Sequence, residues 1–468
     1  MGEKQELKRG LKNRHIQMIA LGGAIGTGLF YGSASTIELV GPAVMLSYAI
    51  GGFFIFLVMR CMGEMTVHTP VSGAFSTFAY KYWGKMAGFI SGWNYWFCYI
   101  AVSMAEVTAV GIYVNYWLPD VPQWVSGFVM FVVITMINLI GVKAFGEIEF
   151  WGAIFKVGAV ILMILFGLAI IFFGFGNGGE AIGFANLVAE GGFLPKGIGG
   201  LMLSLVVVTF AFGGVELIGI TAGEAENPDK TIPKAINQVL YRILIFYVGS
   251  MFVLVTLFPW NKVGLDGSPF VMIFDQLGIP AAATILNFIV LTATFSAYNS
   301  CLYSNARMLF GLAEQGNAPK VLLKVGKTGV PTRSVLFSSG IVGISVILNA
   351  FLPGQVFGIV MSIAVLAIVI NWIMILITHN KFRKTLDDKA VASLKFKMPF
   401  YPYSNYITMG YLFMLLGLMW FLPSFRISLY LAPVWLGILV ISYKIKSSRE
   451  KANASQNYDD VDQMKEAN

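Results

Sequence analysis

The chain has 468 residues, of which 57% are hydrophobic and only 12% charged, a balance that excludes an ordinary soluble domain. Its formal charge of +8 carries no nucleic-acid signal, because the basic residues cluster between apolar runs, where they would face anionic lipid. Cys61, Cys98 and Cys301 fall in or beside those runs and imply no disulfide framework.

Apolar runs of membrane-crossing length recur along the whole chain. They read as twelve spans at about 16–38, 42–63, 87–116, 124–141, 149–174, 198–222, 239–259, 275–312, 333–352, 354–378, 405–422 and 428–446. The first run has full span length, so it reads as a span and not as a cleaved leader. With residues 1–15 as a cytoplasmic tail, Lys4, Lys8, Arg9, Lys12 and Arg14 lie inside, as do Lys81, Lys85, Lys143, Lys230, Lys234, Lys320, Lys324, Lys327 and Arg333. The segment from Lys381 to Lys397 and the tail 447–468 fall on the same side, leaving only Lys196, Lys262 and Arg426 outside. That asymmetry predicts cytoplasmic termini. Both tails read as polar and mobile.

Two spans contain too much glycine for helices that merely cross lipid. Span 1 carries Gly22-Gly23-Ala24-Ile25-Gly26-Thr27-Gly28, and span 6 carries Phe210-Ala211-Phe212-Gly213-Gly214-Val215-Glu216. Each interior Gly costs a helix about 1 kcal/mol relative to Ala, and broken backbone survives in a membrane only where protein or a watery cavity surrounds it. Spans 1–5 (16–174) and 6–10 (198–378) form two units, each opened by its interrupted helix. Five is odd, so the second unit enters inverted, and the site of such an architecture lies where the two breaks meet. Spans 11 and 12 (379–446) read as peripheral additions. The loop from Ala222 to Pro228 reads as a polar turn, followed by a short surface helix over Lys230 to Gln238.

Unwinding near Gly26, Thr27 and Gly28 would leave peptide N–H groups free for a carboxylate. Unwinding near Phe210, Ala211, Phe212 and Gly213 would leave carbonyls free for an ammonium group. Together, with Ala24 alongside, they would grip an amino acid, with Tyr95 and Phe30 near enough to face its side chain. The alternative is that the glycines only permit tight helix packing.

Charges inside spans default to function. Lys156 lies about two turns into span 5, where its ammonium can stand in for a bound cation between spans 1 and 8 and exchange a proton, or else snorkel to the interface. Glu106, past the middle of span 3, can line the pocket, carry the coupled proton, or make a structural hydrogen bond. Glu216 either senses protonation or holds the unwound segment in shape. Arg60, Glu64, Arg307 and Glu314 read as gate or structural ion pairs, and His15, His68 and His379 as interfacial. No nucleophile–base pair, metal-ligand spacing or phosphate loop is present, so neither enzyme activity, cofactor nor metal is expected.

Over roughly residues 8–446 the chain resembles the amino acid/polyamine/organocation superfamily, and within it the bacterial amino acid permeases. The runs GGAIGTGLFYGSA in span 1, GWNYW from Gly92, FGEIEFW from Phe145, FAFGGVELIGI from Phe210, ENPDKTIPKAI from Glu226 and NARMLFGLAEQGNAPK from Asn305 carry the likeness. SMAEVTAVG around Glu106 and YRILIFYVGS from Tyr241 are similar to proton-coupled aromatic amino acid permeases. The resemblance implies an all-α polytopic protein of the bacterial inner membrane, with twelve transmembrane helices in a 5+5 inverted repeat (LeuT-like) plus two peripheral helices. It implies alternating-access import of an amino acid with a proton, with Gly26 and Gly28 at the family's span 1 glycines, Lys156 at its span 5 lysine and Glu106 at the glutamate of the aromatic permeases. Relatives that carry proline or cationic amino acids share most of these runs, so those substrates, antiport, and a non-transporting amino acid sensor stay open as alternatives.

Overall fold

The computed structural model describes residues 25–466, apart from 71–73, 176–177, 217–218, 220–227 and 264–266. Ala24, the N-terminal tail and most of the expected turn before Pro228 lie outside the described residues. Among the described residues every regular element is helical.

The chain begins with a four-residue turn, α1 (Thr27–Phe30), a break at Tyr31, and α2 (Gly32–Val40). Long helices follow: α3 (Val44–His68), the short α4 (Ala74–Tyr82), α5 (Lys85–Asn115), α6 (Gln123–Ile140) and α7 (Val142–Phe173). Next come α8 (Gly197–Ala211), α9 (Pro228–Arg242), a π-helical stretch over Ile243–Gly249, and α10 (Ser250–Leu257). The remainder is α11 (Pro269–Gln276), α12 (Pro280–Glu314), α13 (Thr332–Phe351), α14 (Val356–Arg383), α15 (Asp388–Ser393), α16 (Tyr403–Met419) and α17 (Pro423–Glu466).

Among the described residues nine helical stretches are long and apolar enough to cross a membrane, and Gly197–Ala211 is a shorter apolar helix. The chain is an all-helical, polytopic membrane protein. The expected breaks shorten some helices and merge others: Thr27–His68 runs on almost without interruption, whereas α8 stops at Ala211. Two expectations are corrected. Residues 230–238 form no separate surface helix, because helical backbone continues from Pro228 to Leu257 with a register change at the π stretch. The tail after 446 is helical as far as Glu466, where its alternating charged and small residues suit a solvated helix.

Burial separates core from rim. The most apolar windows of α5 and α14 are 72% and 78% buried, those of α6 and α17 only 22% and 17%. Leu162, Leu165, Phe172 and Phe173 on α7 and Val129, Met136 and Ile140 on α6 are exposed, the arrangement expected where lipid is the solvent. In the interior, α5 packs chiefly against α12 and α14, α7 against α12, and α2 against α8.

One end of this core is tied by a buried ionic cluster. His379, expected at the interface, is fully buried. Its Nε2 lies 3.2 Å from Glu64 Oε1, and its Nδ1 is 3.0 Å from Asn405 Nδ2. Arg383 Nη2 and the Met398 N–H donate to Glu64 Oε2 at 2.8 and 2.6 Å, so one carboxylate joins α3, α14 and the segment before α16. Glu64→Ala leaves Arg383 without its partner, and breaking such a pair costs about 3–5 kcal/mol. The detergent melting temperature of that variant should fall well below the wild type; an unchanged melting curve would show the cluster carries no stability.

Candidate functional site

The two glycine-rich interruptions meet. A side chain at Gly28 would place its Cβ 2.6 Å from Ala211 Cα, 3.0 Å from Ala211 N and 3.1 Å from Phe210 O. Backbone therefore touches backbone, a contact that only glycine admits. At Gly26 a Cβ would sit 2.8 Å from Glu106 Oε1. The same two glycines that weaken the helix let α5 and α8 close on it.

Around this contact lies a hollow lined by Gly26, Gly28, Glu106, Phe210, Gly213 and Glu216, with Cys98, Tyr99, Val102, Ala297, Ser300, Cys301 and Ile368 completing its walls. The space between these atoms totals about 470 Å³, much of it in narrow clefts, so the site is contracted. Ala211 is not part of the lining but forms the Gly28 contact. Tyr95 is buried one turn before Tyr99, its ring 4.6 Å from that ring. Phe212 points away, packing on Tyr48 and Tyr247 with ring centroids 6.0 and 5.0 Å apart. It therefore does not contribute a wall.

The polar groups are already engaged. Glu106 Oε1 accepts from Thr27 Oγ1 at 2.8 Å and from the Thr27 N–H at 3.3 Å. A carboxylate of the protein thus occupies the peptide donor expected to hold a ligand's carboxylate. Its second oxygen, Oε2, is buried without a hydrogen-bond partner. Beyond α8 the chain turns tightly: the Gly213 N–H donates to Phe210 O at 3.1 Å, and Gly214, at φ +101°, donates its N–H to Glu216 Oε2 at 3.2 Å. The Glu216 side chain thereby folds back on the break. Ala211 O, left over at the helix end, accepts from Tyr247 Oη at 3.0 Å. Each carbonyl keeps a second lone pair for an incoming donor.

Tyr247 is one of two contributors outside the lining that sequence reasoning missed, beside Tyr99, Val102 and Ile368 within it. It comes from the π stretch, a rare conformation that re-aims side chains and is found at functional places; YRILIFYVGS was the only hint of it. The other is Phe357, at the start of α14, whose ring lies 6.1 Å from Phe210 and 4.7 Å from Tyr31. With Tyr113, 6.4 Å from Tyr31, these rings form an aromatic cluster that reaches Phe210 of the lining.

Lys156 does not snorkel: it is fully buried. Its Nζ donates to Ser296 Oγ at 3.0 Å and lies 3.6 Å from Glu149 Oε1. Gly152 brings α12 close enough for this, since a Cβ there would meet Ser296 Cβ at 3.0 Å. Lys156 is outside the hollow's lining.

The amino acid permease family model matches residues 15–456. The chain belongs to the amino acid permease family. Among similar permeases, the aromatic amino acid transport protein AroP of Escherichia coli is 54% identical over 448 residues, covering 96% of this chain and 97% of that protein. AroP of Salmonella typhi is 54% identical over 447 residues, with the same coverage. An uncharacterized amino acid permease, YtnA of Bacillus subtilis, is 46% identical over 453 residues, covering 97% of this permease and 98% of its relative. The polytopic helical fold and the enclosed hollow are what a permease requires.

Proposed function

We propose that this permease imports aromatic amino acids together with a proton, by alternating access across a bacterial inner membrane. The observation that carries the reading is the backbone contact of Gly28 with Ala211 beside a hollow containing Glu106 and Glu216. In this reading the chain crosses the membrane twelve times with both termini cytoplasmic. Its core, 16–378, comprises inverted repeats 16–174 and 198–378, with 379–446 forming two outer helices. The substrate's carboxylate and amine bind at Gly26–Gly28 and Phe210–Gly213, with Ala24 and Tyr95 close by. Glu106, Lys156 and Glu216 carry the coupling.

The walls favour an aromatic side chain over a cationic one. One oxygen of each carboxylate of the hollow is committed, Glu106 to Thr27 and Glu216 to Gly214, and Tyr99, Val102, Phe210 and Ile368 supply the apolar wall that faces the side chain. Burial against such surfaces contributes about 25 cal/mol per Å². The names of the AroP relatives point the same way.

The geometry also supports a coupling step. While ionised, Glu106 holds the Thr27 N–H; a proton on Glu106 weakens that grip and releases the donor to the substrate's carboxylate. Proton and substrate then bind as a pair. Glu106→Gln should make phenylalanine binding independent of pH and lower proton-driven accumulation about tenfold, about 1.4 kcal/mol in driving terms. A variant with the wild-type pH dependence of binding would leave Glu106 a structural role only.

Uptake of labelled phenylalanine into liposomes tests the function. Accumulation should follow an imposed proton gradient, with tyrosine and tryptophan competing and proline and lysine not. Accumulation that follows sodium, or binding without flux, would overturn the reading.

A further inference from the structure

Glu149 is a buried charged residue that the coupling step above does not use. It lies on α7, fully buried, and neither carboxylate oxygen accepts a hydrogen bond. Among the described residues its ionic contact is Lys156 Nζ at 3.6 Å. The two residues are seven apart, about two helical turns, and share a face of α7. Helical side chains lean toward the helix N-terminus, so the long Lys156 side chain reaches back over Gly152 toward Glu149. A buried carboxylate without donors is costly unless a charge or a proton satisfies it, and among the described residues Lys156 is the charge beside this one.

We propose that Glu149 accepts the coupled proton from Lys156. In that step an N–H bond breaks at Lys156 Nζ and an O–H bond forms at Glu149 Oε1, turning a buried ion pair into two neutral groups with no change in net charge. The gap must close by about half an ångström for a direct hydrogen bond. Neutralisation removes the desolvation cost of both charges, so the transfer suits a site closed to water. It leads from Lys156 toward the Val142 end of α7. Ser296 of α12 faces the pair, 3.0 Å from Lys156 Nζ, and Glu106 of α5 and Cys301 of α12 line the neighbouring hollow. No titratable side chain of α6 or α10 faces the pair. This proposal rests on proton symport as read above.

The test uses the full-length protein in liposomes, with labelled phenylalanine as probe and two assays. One measures exchange without a proton gradient; the other measures proton-driven accumulation across a range of external pH. Glu149→Gln should exchange within about threefold of wild type and lose at least tenfold in accumulation. Glu149→Asp, which keeps the charge at a longer reach, should restore part of the accumulation with its pH midpoint moved by roughly half a unit or more. Wild-type accumulation and pH profile in either folded variant would overturn the proposal, as would exchange and accumulation falling in parallel in both. A wild type indifferent to the proton gradient would instead sink symport itself, and this step with it.

Discussion

Gly28→Ala should abolish uptake, to below about one hundredth of wild type, because the added methyl lands on backbone rather than on a side chain that can swing aside. Its Cβ would be 2.6 Å from Ala211 Cα, far inside the roughly 3.5–4.0 Å at which carbon atoms attract. Relief requires the two interrupted helices to separate, and with them the groups proposed to hold the substrate. Overpacking ordinarily costs about 1–3 kcal/mol, but here the displaced atoms belong to the site itself. Gly158→Ala is the matched control. That glycine lies in α7 with nothing within 4 Å of a built Cβ, so the variant should transport as wild type and gain slightly in helix propensity. Uptake and substrate-induced stabilisation, measured side by side, check both. Transport by Gly28→Ala at the control's rate would mean that the backbone contact does not organise the site.

Lys156→Ala should eliminate proton-driven accumulation. Removing the ammonium leaves Glu149 as a buried carboxylate with no partner, an expense of about 3–5 kcal/mol when it stays charged. The variant should therefore melt earlier as well as fail to accumulate. Lys156→Arg keeps the charge beside Ser296 and Glu149 and should retain substrate binding, with reduced accumulation because a guanidinium does not release its proton. Gradient-driven accumulation by the alanine variant at the wild-type level would contradict a coupling role for this side chain.

The interrupted helices were legible because glycine is expensive in a helix and a membrane forbids open backbone: Gly26, Gly28, Gly213 and Gly214 announce the breaks by composition alone. The depth of Glu106 and Lys156 was legible for a related reason, since a charge within an apolar run stands out. What they touch was not. Lys156 reads as a buried coupling lysine with snorkelling as the alternative until α12 is seen to approach Gly152 and present Ser296. Glu149 sits at the edge of an apolar run, where a carboxylate looks interfacial; α12 covers this part of α7, Ser296 lying against Gly152. His379 misleads in the same way, lying at the polar end of α14 yet enclosed by Glu64 and Asn405. Phe212 was grouped with Phe210 by adjacency, but the tight turn after Ala211 sends the two rings to opposite sides of the break. Tyr247 depends on a π stretch, which has no periodic signature.

The central claim is that exposed peptide groups at two broken helices clasp the charged ends of an amino acid. Thermal stabilisation of the purified protein by L-phenylalanine, phenylalanine amide and N-acetylphenylalanine tests it directly, because a ligand raises the melting temperature only by preferring the folded state. L-phenylalanine should stabilise strongly, while the amide, lacking the carboxylate, and the acetylated form, lacking the ammonium, should each stabilise little or not at all. Equal stabilisation by all three would mean that the side chain alone is recognised, and would contradict the account.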